Sequence, residues 1–438
     1  LARTRLHKVG WQRRAQATER DMKARIALKV LRTVLKLAGV LLALLVLTFI
    51  GFRLYVELTW SRKRATHPIA ISVVATPARL ARGKVLVSMS CVTCHYDQKT
   101  SELSGHELLD MDKALGPIYS HNLTKHPKAL GRYTDNELAY LLRTGIRRDG
   151  FFIGPFMTFS HFSDEDLISI IAFLRSDDPW VAPLDVEDRE TKPSFFLKRL
   201  LSITWHPAPP PAAPIPTPPL TDQVAYGRYL VAIGHCFGCH AADYDTLNFL
   251  EPEKSGGYLS GGLWMPDGTG RWIASANLTM APTGLGKWTE DEFVQAVRTG
   301  VRADGKALRY PMVAYSELSA AEVRAIFSYL KTVPRIAHDV PRNWERDATS
   351  SNASDGERLY ARYACVSCHG DAGVGICDLR LASERYPTDE QLSLFLHDAS
   401  KFVVGTKMPT WQGVIAESEY PPLIAHIRRL EQRYRSTH

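Results

Sequence analysis

Six of the seven cysteines fall into three copies of one spacing: Cys91-Val92-Thr93-Cys94-His95, Cys236-Phe237-Gly238-Cys239-His240 and Cys365-Val366-Ser367-Cys368-His369. Two thiols one short turn apart can add to the two vinyl groups of a haem as thioethers, and the histidine that follows can turn its imidazole to the iron. Structural zinc sites use such cysteine pairs in twos, so three is the wrong number. A redox dithiol belongs to a βαβ pattern, which this sequence lacks. The expectation is three covalently bound c-type haems with His95, His240 and His369 as proximal iron ligands. Cys377 is left over; it reads as a small buried apolar residue near the third haem, with a reactive thiol as the alternative.

A methionine thioether on the other face of the iron raises the potential relative to two imidazoles. Met157 and Met312 stand 155 residues apart in Gly-Pro-Phe-Met-Thr and Tyr-Pro-Met-Val, and Met408 follows the third haem histidine by 39 residues. These three are the expected sixth ligands. His161 and His121 are rivals of Met157, and His397 is the rival of Met408. No histidine lies between His240 and His338, so Met312 has none. Met89 and Met111 are expected only to pack.

The elements that must position these residues form an internal repeat. At the same offset of 155, Asn122-Leu123-Thr124 aligns with Asn277-Leu278-Thr279 and Gly131–Gly150 with Gly286–Gly305. Residues 75–178 and 222–334 are read as two copies of one unit, with about ten extra residues of the second copy in Ser255–Gly270. Residues 355–438 form a third, shorter unit. Helix starts are written as capping boxes at Thr134/Glu137, Thr289/Glu292 and Ser319/Glu322, with weaker versions at Ser163/Asp166 and Thr388/Gln391. Apolar-periodic runs after Ser163 and Ser319 predict a terminal helix in each repeat. A short helix carrying Gly83, Gly227 or Gly356 precedes each haem motif. The glycine would let the terminal helix cross close by, with Phe173 and Tyr329 filling the first two crossings. The expected class is all-α: one transmembrane helix, then three small cytochrome c domains. Bound haem would supply much of what such small domains bury.

The net charge of +8 is concentrated at one end, because residues 1–36 carry net +9 and the remaining 402 carry −1. A neutral remainder offers no footprint for nucleic acid. Leu37–Phe52 contains no charge, and with its apolar flanks the run reaches roughly 20 residues, enough to cross a bilayer. Lys36 and Arg53 can snorkel at its ends, and Trp60 can anchor in the interface. Residues 1–33 thus read as a basic cytoplasmic tail, residues 34–58 as a membrane span, and the remainder as periplasmic. The span exceeds a signal peptide's apolar core and no small-x-small site follows it, so a retained anchor in the bacterial inner membrane is expected. Residues 179–221 form a linker whose stretch Pro207–Pro219 holds eight prolines in thirteen residues, a semi-rigid spacer. Residues 335–354 form a second linker. Ser194–Leu201 mixes aromatics and cations, as a membrane-surface segment or as an ordinary packed helix.

No nucleotide fingerprint, P-loop, triad or flavin motif is present, and no catalytic residue is assigned. With three C-x-x-C-H motifs, Asn-Leu-Thr, Gly-x-Trp/Tyr-Thr and a late methionine in that order, residues 75–438 resemble the triheme cytochrome c subunits of membrane-bound bacterial dehydrogenases, those of acetic acid bacteria above all. The resemblance implies a partner: a catalytic subunit with pyrroloquinoline quinone, flavin or molybdenum, oxidising an alcohol, aldehyde or gluconate. Electrons would pass along the haems to ubiquinone or a terminal oxidase. The long basic tail, the retained span and the short third domain depart from that pattern and leave the partner class open. Two other readings compete: a free-standing carrier between a quinol-oxidising complex and a terminal oxidase, and a haem enzyme such as a peroxidase.

Overall fold

A computed structural model describes residues 2–97, 99–108, 111–341, 354–403 and 406–437. It divides into two units, residues 1–61 and 62–438. Most of the second expected linker, residues 342–353, lies outside the described residues.

Helix α1 (Ala2–Thr59) joins the basic and apolar runs without interruption. Its stretch Arg20–Thr59 is long and apolar enough to cross a membrane. Thr33, Thr48 and Thr59 each donate their hydroxyl to the carbonyl four residues back, at 3.0, 2.8 and 2.7 Å, so these polar atoms are satisfied within the helix.

Apart from one short hairpin, the regular elements described in the second unit are helices joined by long irregular stretches. Its principal helices are α2 (Pro77–Ser90), α3 (Asp135–Thr144), α4 (Asp164–Leu174), α5 (Gln223–Ile233), α6 (Glu290–Thr299), α7 (Ala320–Leu330), α8 (Asp355–Arg362), α9 (Asp389–His397) and α10 (Tyr420–Thr437). Full capping boxes start α3, α6, α7 and α9 at the expected residues. Ser354 and Glu357 form another at α8 that the sequence reading missed. One antiparallel hairpin, β1 (Trp264–Pro266) with β2 (Trp272–Ala274), departs from the all-helical expectation and overlaps the stretch where the second copy carries its extra residues.

Helix α2 packs on α4, α5 on α7 and α8 on α10. A glycine makes each crossing close. A Cβ on Gly83 would lie 2.1 Å from the Ser169 carbonyl oxygen, one on Gly227 1.9 Å from that of Ala325, and one on Gly356 2.2 Å from that of Pro422. Phe173 abuts Gly83 as expected, and His426 takes the corresponding place against Gly356. Tyr329 behaves differently: its hydroxyl pairs with that of Tyr258 at 3.0 Å, while backbone of α7 abuts Gly227.

The first two copies share one apolar core that runs from Leu86 to Val333, whereas the third segment packs around Trp411 and Leu423 in a second core that also takes in Val301 and Ala307 of the second copy. The proline stretch is correspondingly not a free spacer. Ile215 exchanges hydrogen bonds with Asp164 at the start of α4, and Thr217 donates to Ser163 at 2.6 Å. The segment after Ser194 starts as a short helix, Phe195–Arg199, with Leu197, Leu200 and Leu201 buried, which agrees with the packed-helix reading.

A polar seam joins the two copies. Arg82 of α2 grips both Asp166 oxygens at 2.9 Å and reaches Glu322 of α7 at 2.7 Å. Tyr229 donates to Asp166 at 2.6 Å and Tyr226 to Glu322 at 3.2 Å. Burial works against the Glu322 charge, but the Ser319 amide and Arg82 outweigh it and hold the pKa below its usual value. A depressed carboxylate stabilises the fold above its unfolded pKa, and that contribution is lost as pH falls through the folded value. Arg82→Met leaves two buried carboxylates without their cation, so it is expected to cost roughly 3 kcal/mol near neutral pH. It should also flatten the acid side of the stability profile. Denaturant melts at neutral and acid pH measure both effects.

Candidate haem centres

Each C-x-x-C-H sequence forms a single helical turn directly after the helix that carries the crossing glycine: Val92–His95, Cys236–His240 and Val366–His369. The three histidines are aimed in one way. His95 Nδ1 lies 2.7 Å from the His121 carbonyl, His240 Nδ1 2.7 Å from that of Ala276, and His369 Nδ1 3.1 Å from that of Cys377. A carbonyl only accepts, so Nδ1 carries the proton and the Nε2 lone pair is left to bind a metal. Burial drives the His95 pKa down to about 4 and lowers those of His240 and His369, so all three stay neutral, as an iron ligand must. Burial also pushes the Cys91, Cys236 and Cys365 thiols up to about 12, the opposite of what a reactive dithiol needs. Beside Cys91 a small gap of about 10 Å³ is lined by the apolar side chains of Leu142, Phe159, Phe162, Leu167 and Ile170. These residues fit a covalently held haem at each motif.

The carbonyls that orient His95 and His240 belong to the residues just before the two Asn-Leu-Thr blocks, a role the sequence reading did not assign. Asn122 and Asn277 explain the repetition. Each side-chain carbonyl accepts from the threonine amide two residues on, at 2.8 and 2.9 Å. Each side-chain amide then ties down a later strand of chain, at Leu184 and at Ile336. The identity of the block at a fixed offset was the available signal. In the third segment Cys377 does this work with its backbone, and it is half-buried beside the third motif.

Met157 ends a single turn, Pro155–Met157, and is half-buried against the shared core. Met312 is half-buried, and Met408 packs against the third core. The rival histidines each have a polar neighbour. His161 Nε2 is bonded to the Phe249 carbonyl at 2.9 Å, and His121 faces Asp188 at 3.7 Å. Both His397 nitrogens are used, on the Ser393 carbonyl at 2.7 Å and on Glu417 at 3.0 Å. Met89 is buried in the core, as expected of a packing residue.

The motifs adjoin one another. Ser90 donates to the Ile233 carbonyl at 3.4 Å, and His235, next to Cys236, stacks on Phe159 with centroids 5.2 Å apart. The turn of the β1–β2 hairpin reaches the third motif, where the Gly268 amide donates to the Ser367 carbonyl at 2.9 Å. A larger cleft of about 480 Å³, lined by Asp222, Arg228 and Glu253 among others, contains no motif residue and has no part in haem attachment.

Comparison with known proteins agrees with this chemistry. Residues 351–427 match the family model described as cytochrome c oxidase, cbb3-type, subunit III. The chain is 30% identical over 347 residues to the alcohol dehydrogenase (quinone) cytochrome c subunit of Gluconobacter oxydans, covering 72% of this chain and 70% of that protein. It is 30% identical over 356 residues to the fructose dehydrogenase cytochrome subunit of Gluconobacter japonicus, covering 72% and 68%. Over 327 residues it is 28% identical to the gluconate 2-dehydrogenase cytochrome c subunit of Pantoea cypripedii, covering 68% of this chain and 70% of that protein. With three C-x-x-C-H turns whose buried histidines are held by backbone carbonyls, and with these relatives, the chain belongs to the family of cytochrome c subunits of membrane-bound dehydrogenases.

Proposed function

We propose that this protein is a triheme electron conduit, organised as three cytochrome c domains on one membrane anchor, that takes electrons from a dehydrogenase catalytic subunit. The observation that carries the reading is the threefold recurrence of one arrangement: a C-x-x-C-H turn whose histidine Nδ1 is held by a backbone carbonyl. Cys91 and Cys94, Cys236 and Cys239, and Cys365 and Cys368 hold the three haems. His95 with Met157, His240 with Met312, and His369 with Met408 ligate the irons. Haem supplies one-electron redox chemistry; the chain supplies axial ligands, burial and spacing.

The basic tail lies in the cytoplasm, α1 spans the inner membrane with its apolar face in lipid, and the haem segments lie in the periplasm. The partner oxidises an alcohol or an aldehyde with a pyrroloquinoline quinone, flavin or molybdenum cofactor, and ubiquinone or the respiratory chain receives the electrons. The alcohol dehydrogenase and fructose dehydrogenase relatives support a dehydrogenase partner. Mild-detergent purification with mass spectrometry of what accompanies the chain, followed by reduction with ethanol, acetaldehyde, gluconate or fructose, tests this directly. A co-purifying dehydrogenase and haem reduction by one substrate are expected. The match of residues 351–427 to an oxidase subunit favours a second reading, a carrier delivering electrons to a terminal oxidase. Purification with oxidase subunits, and haems that stay oxidised with every substrate, would establish that one.

Met312→Ala should leave the haem attached yet lower that centre's potential and open its sixth position to carbon monoxide. Redox titration and the carbon monoxide difference spectrum check this; an unchanged spectrum and potential would remove Met312 from the ligand set.

A further inference from the structure

Lys407 belongs to the third segment, one residue before Met408, but its ammonium lies among residues of the other two. Nζ donates to Ser88 Oγ at 3.2 Å, stands 3.8 Å from Glu317 Oε2 and lies 5.4 Å from the centre of the Tyr315 ring. Ser88 is fully buried in α2, three residues before Cys91. Tyr315 and Glu317 follow Met312 by three and five residues. The Tyr315 hydroxyl is enclosed, with Cys236, Cys239 and Cys94 around it. The Lys407 backbone is pinned on the second copy: the Thr410 amide donates to the Thr299 carbonyl at 3.1 Å, and Pro409 packs against Gly300. Lys407 thus stands where all three segments meet.

The pair is enclosed. The two side chains are 15% and 18% exposed, and Glu317 Oε1 has no hydrogen-bond partner. Stability alone gives little reason for such a pair, because apolar side chains of similar volume commonly serve as well as a buried ion pair. Charge next to a redox centre does have a consequence. A haem gains one positive charge on oxidation, so a fixed cation nearby favours the reduced form and a fixed anion favours the oxidised form. At low local dielectric these effects are weakly screened.

We propose that Lys407 and Glu317 form an electrostatic coupler through which the third segment tunes the first two haem centres, Lys407 raising their reduction potentials and Glu317 lowering them. The inference rests on the three-haem reading above and extends it to two positioning residues outside the attachment motifs. It makes the potentials of the first two centres depend on how the third segment is docked.

The test is a spectroelectrochemical titration of the full-length protein in detergent, with haems counted by intact mass. Lys407→Gln should lower the potential of at least one of the first two centres and Glu317→Gln should raise it. Each shift should be about tenfold in the oxidised-to-reduced ratio, or about 59 mV for one electron. Lys407→Arg should stay near the parent, and the double variant should return toward it. Shifts of the same sign in the two single variants, or none in either, would overturn the inference alone, since a merely structural pair has no reason to give opposite signs. A parent protein with fewer than three haems would overturn the three-haem reading and the inference together.

Discussion

On the proposed three-haem reading, replacing both Cys236 and Cys239 by serine is expected to remove one haem and destabilise the second copy, leaving two covalent haems by intact mass. The reason lies in how the motif is built into the core. Cys236 opens a single turn directly after α5, and that helix is held against α7 by a backbone contact at Gly227. Phe237 is fully buried and His240 nearly so, so the turn is part of the packing. Serine has no thiol to add to a vinyl group, and haem held by axial coordination alone, without a covalent bond, can dissociate. Losing a group of that size from a core costs more than the largest single side-chain deletions, about 5 kcal/mol. Since the first two copies share most of one core, the first haem should feel the loss through a broadened or shifted spectrum, while the third, whose core takes only Val301 and Ala307 from the second copy, should change less. A variant that retained three haems by mass would show that this motif is not an attachment site.

What could be read from the sequence was local. The attachment turns and the capping residues Thr134, Thr289 and Ser319 sit within a few residues of what they act on, and the three glycines were legible because each recurs at the same place before its attachment turn, although the backbone each meets, at Ser169, Ala325 and Pro422, is far along the chain. The periodicity of the runs after Ser163 and Ser319 placed α4 and α7 because the core faces one side of each helix. What escaped depends on chain brought together from far away. The carbonyls of His121 and Ala276 have no side-chain signature; they matter because Asn122 and Asn277 pin them 26 and 36 residues beyond His95 and His240. Arg82 meets Glu322 across 240 residues, and Lys407 meets Ser88 across 319. A charged residue in such a contact looks in sequence like any surface charge. The proline stretch was legible only in part for a related reason: composition gives its stiffness, not what it lies against. Ser354 and Glu357 are the exception, a legible capping box passed over because α8 was recognised by its glycine alone.

The crossing glycines lead to the other large effect. Gly227→Ala is expected to destabilise the haem unit by about 3 kcal/mol, the upper end of what overpacking usually costs, despite the better helix propensity of alanine. The added Cβ would sit 1.9 Å from the Ala325 carbonyl oxygen and 2.4 Å from its carbon. Both atoms are main chain inside α7, so no side chain can rotate away and the two helices must separate by about 1 Å. The Tyr226–Glu322 and Tyr229–Asp166 bonds that flank the crossing would loosen with it. Heating the oxidised protein while following its haem absorption reads this as an earlier transition. Gly39→Ala supplies the contrast: nothing lies within 4 Å of its Cβ, so haem content and melting should stay at the parent value. Gly83→Ala and Gly356→Ala, with clashes at 2.1 and 2.2 Å, should fall in the same class as Gly227→Ala. Effects confined to Gly227 would mean that the other two helix pairs yield more easily than their backbone contacts imply. Equal effects at all three would mark the glycine crossing, repeated in each segment, as the feature that brings a terminal helix close enough to each attachment turn to enclose a haem.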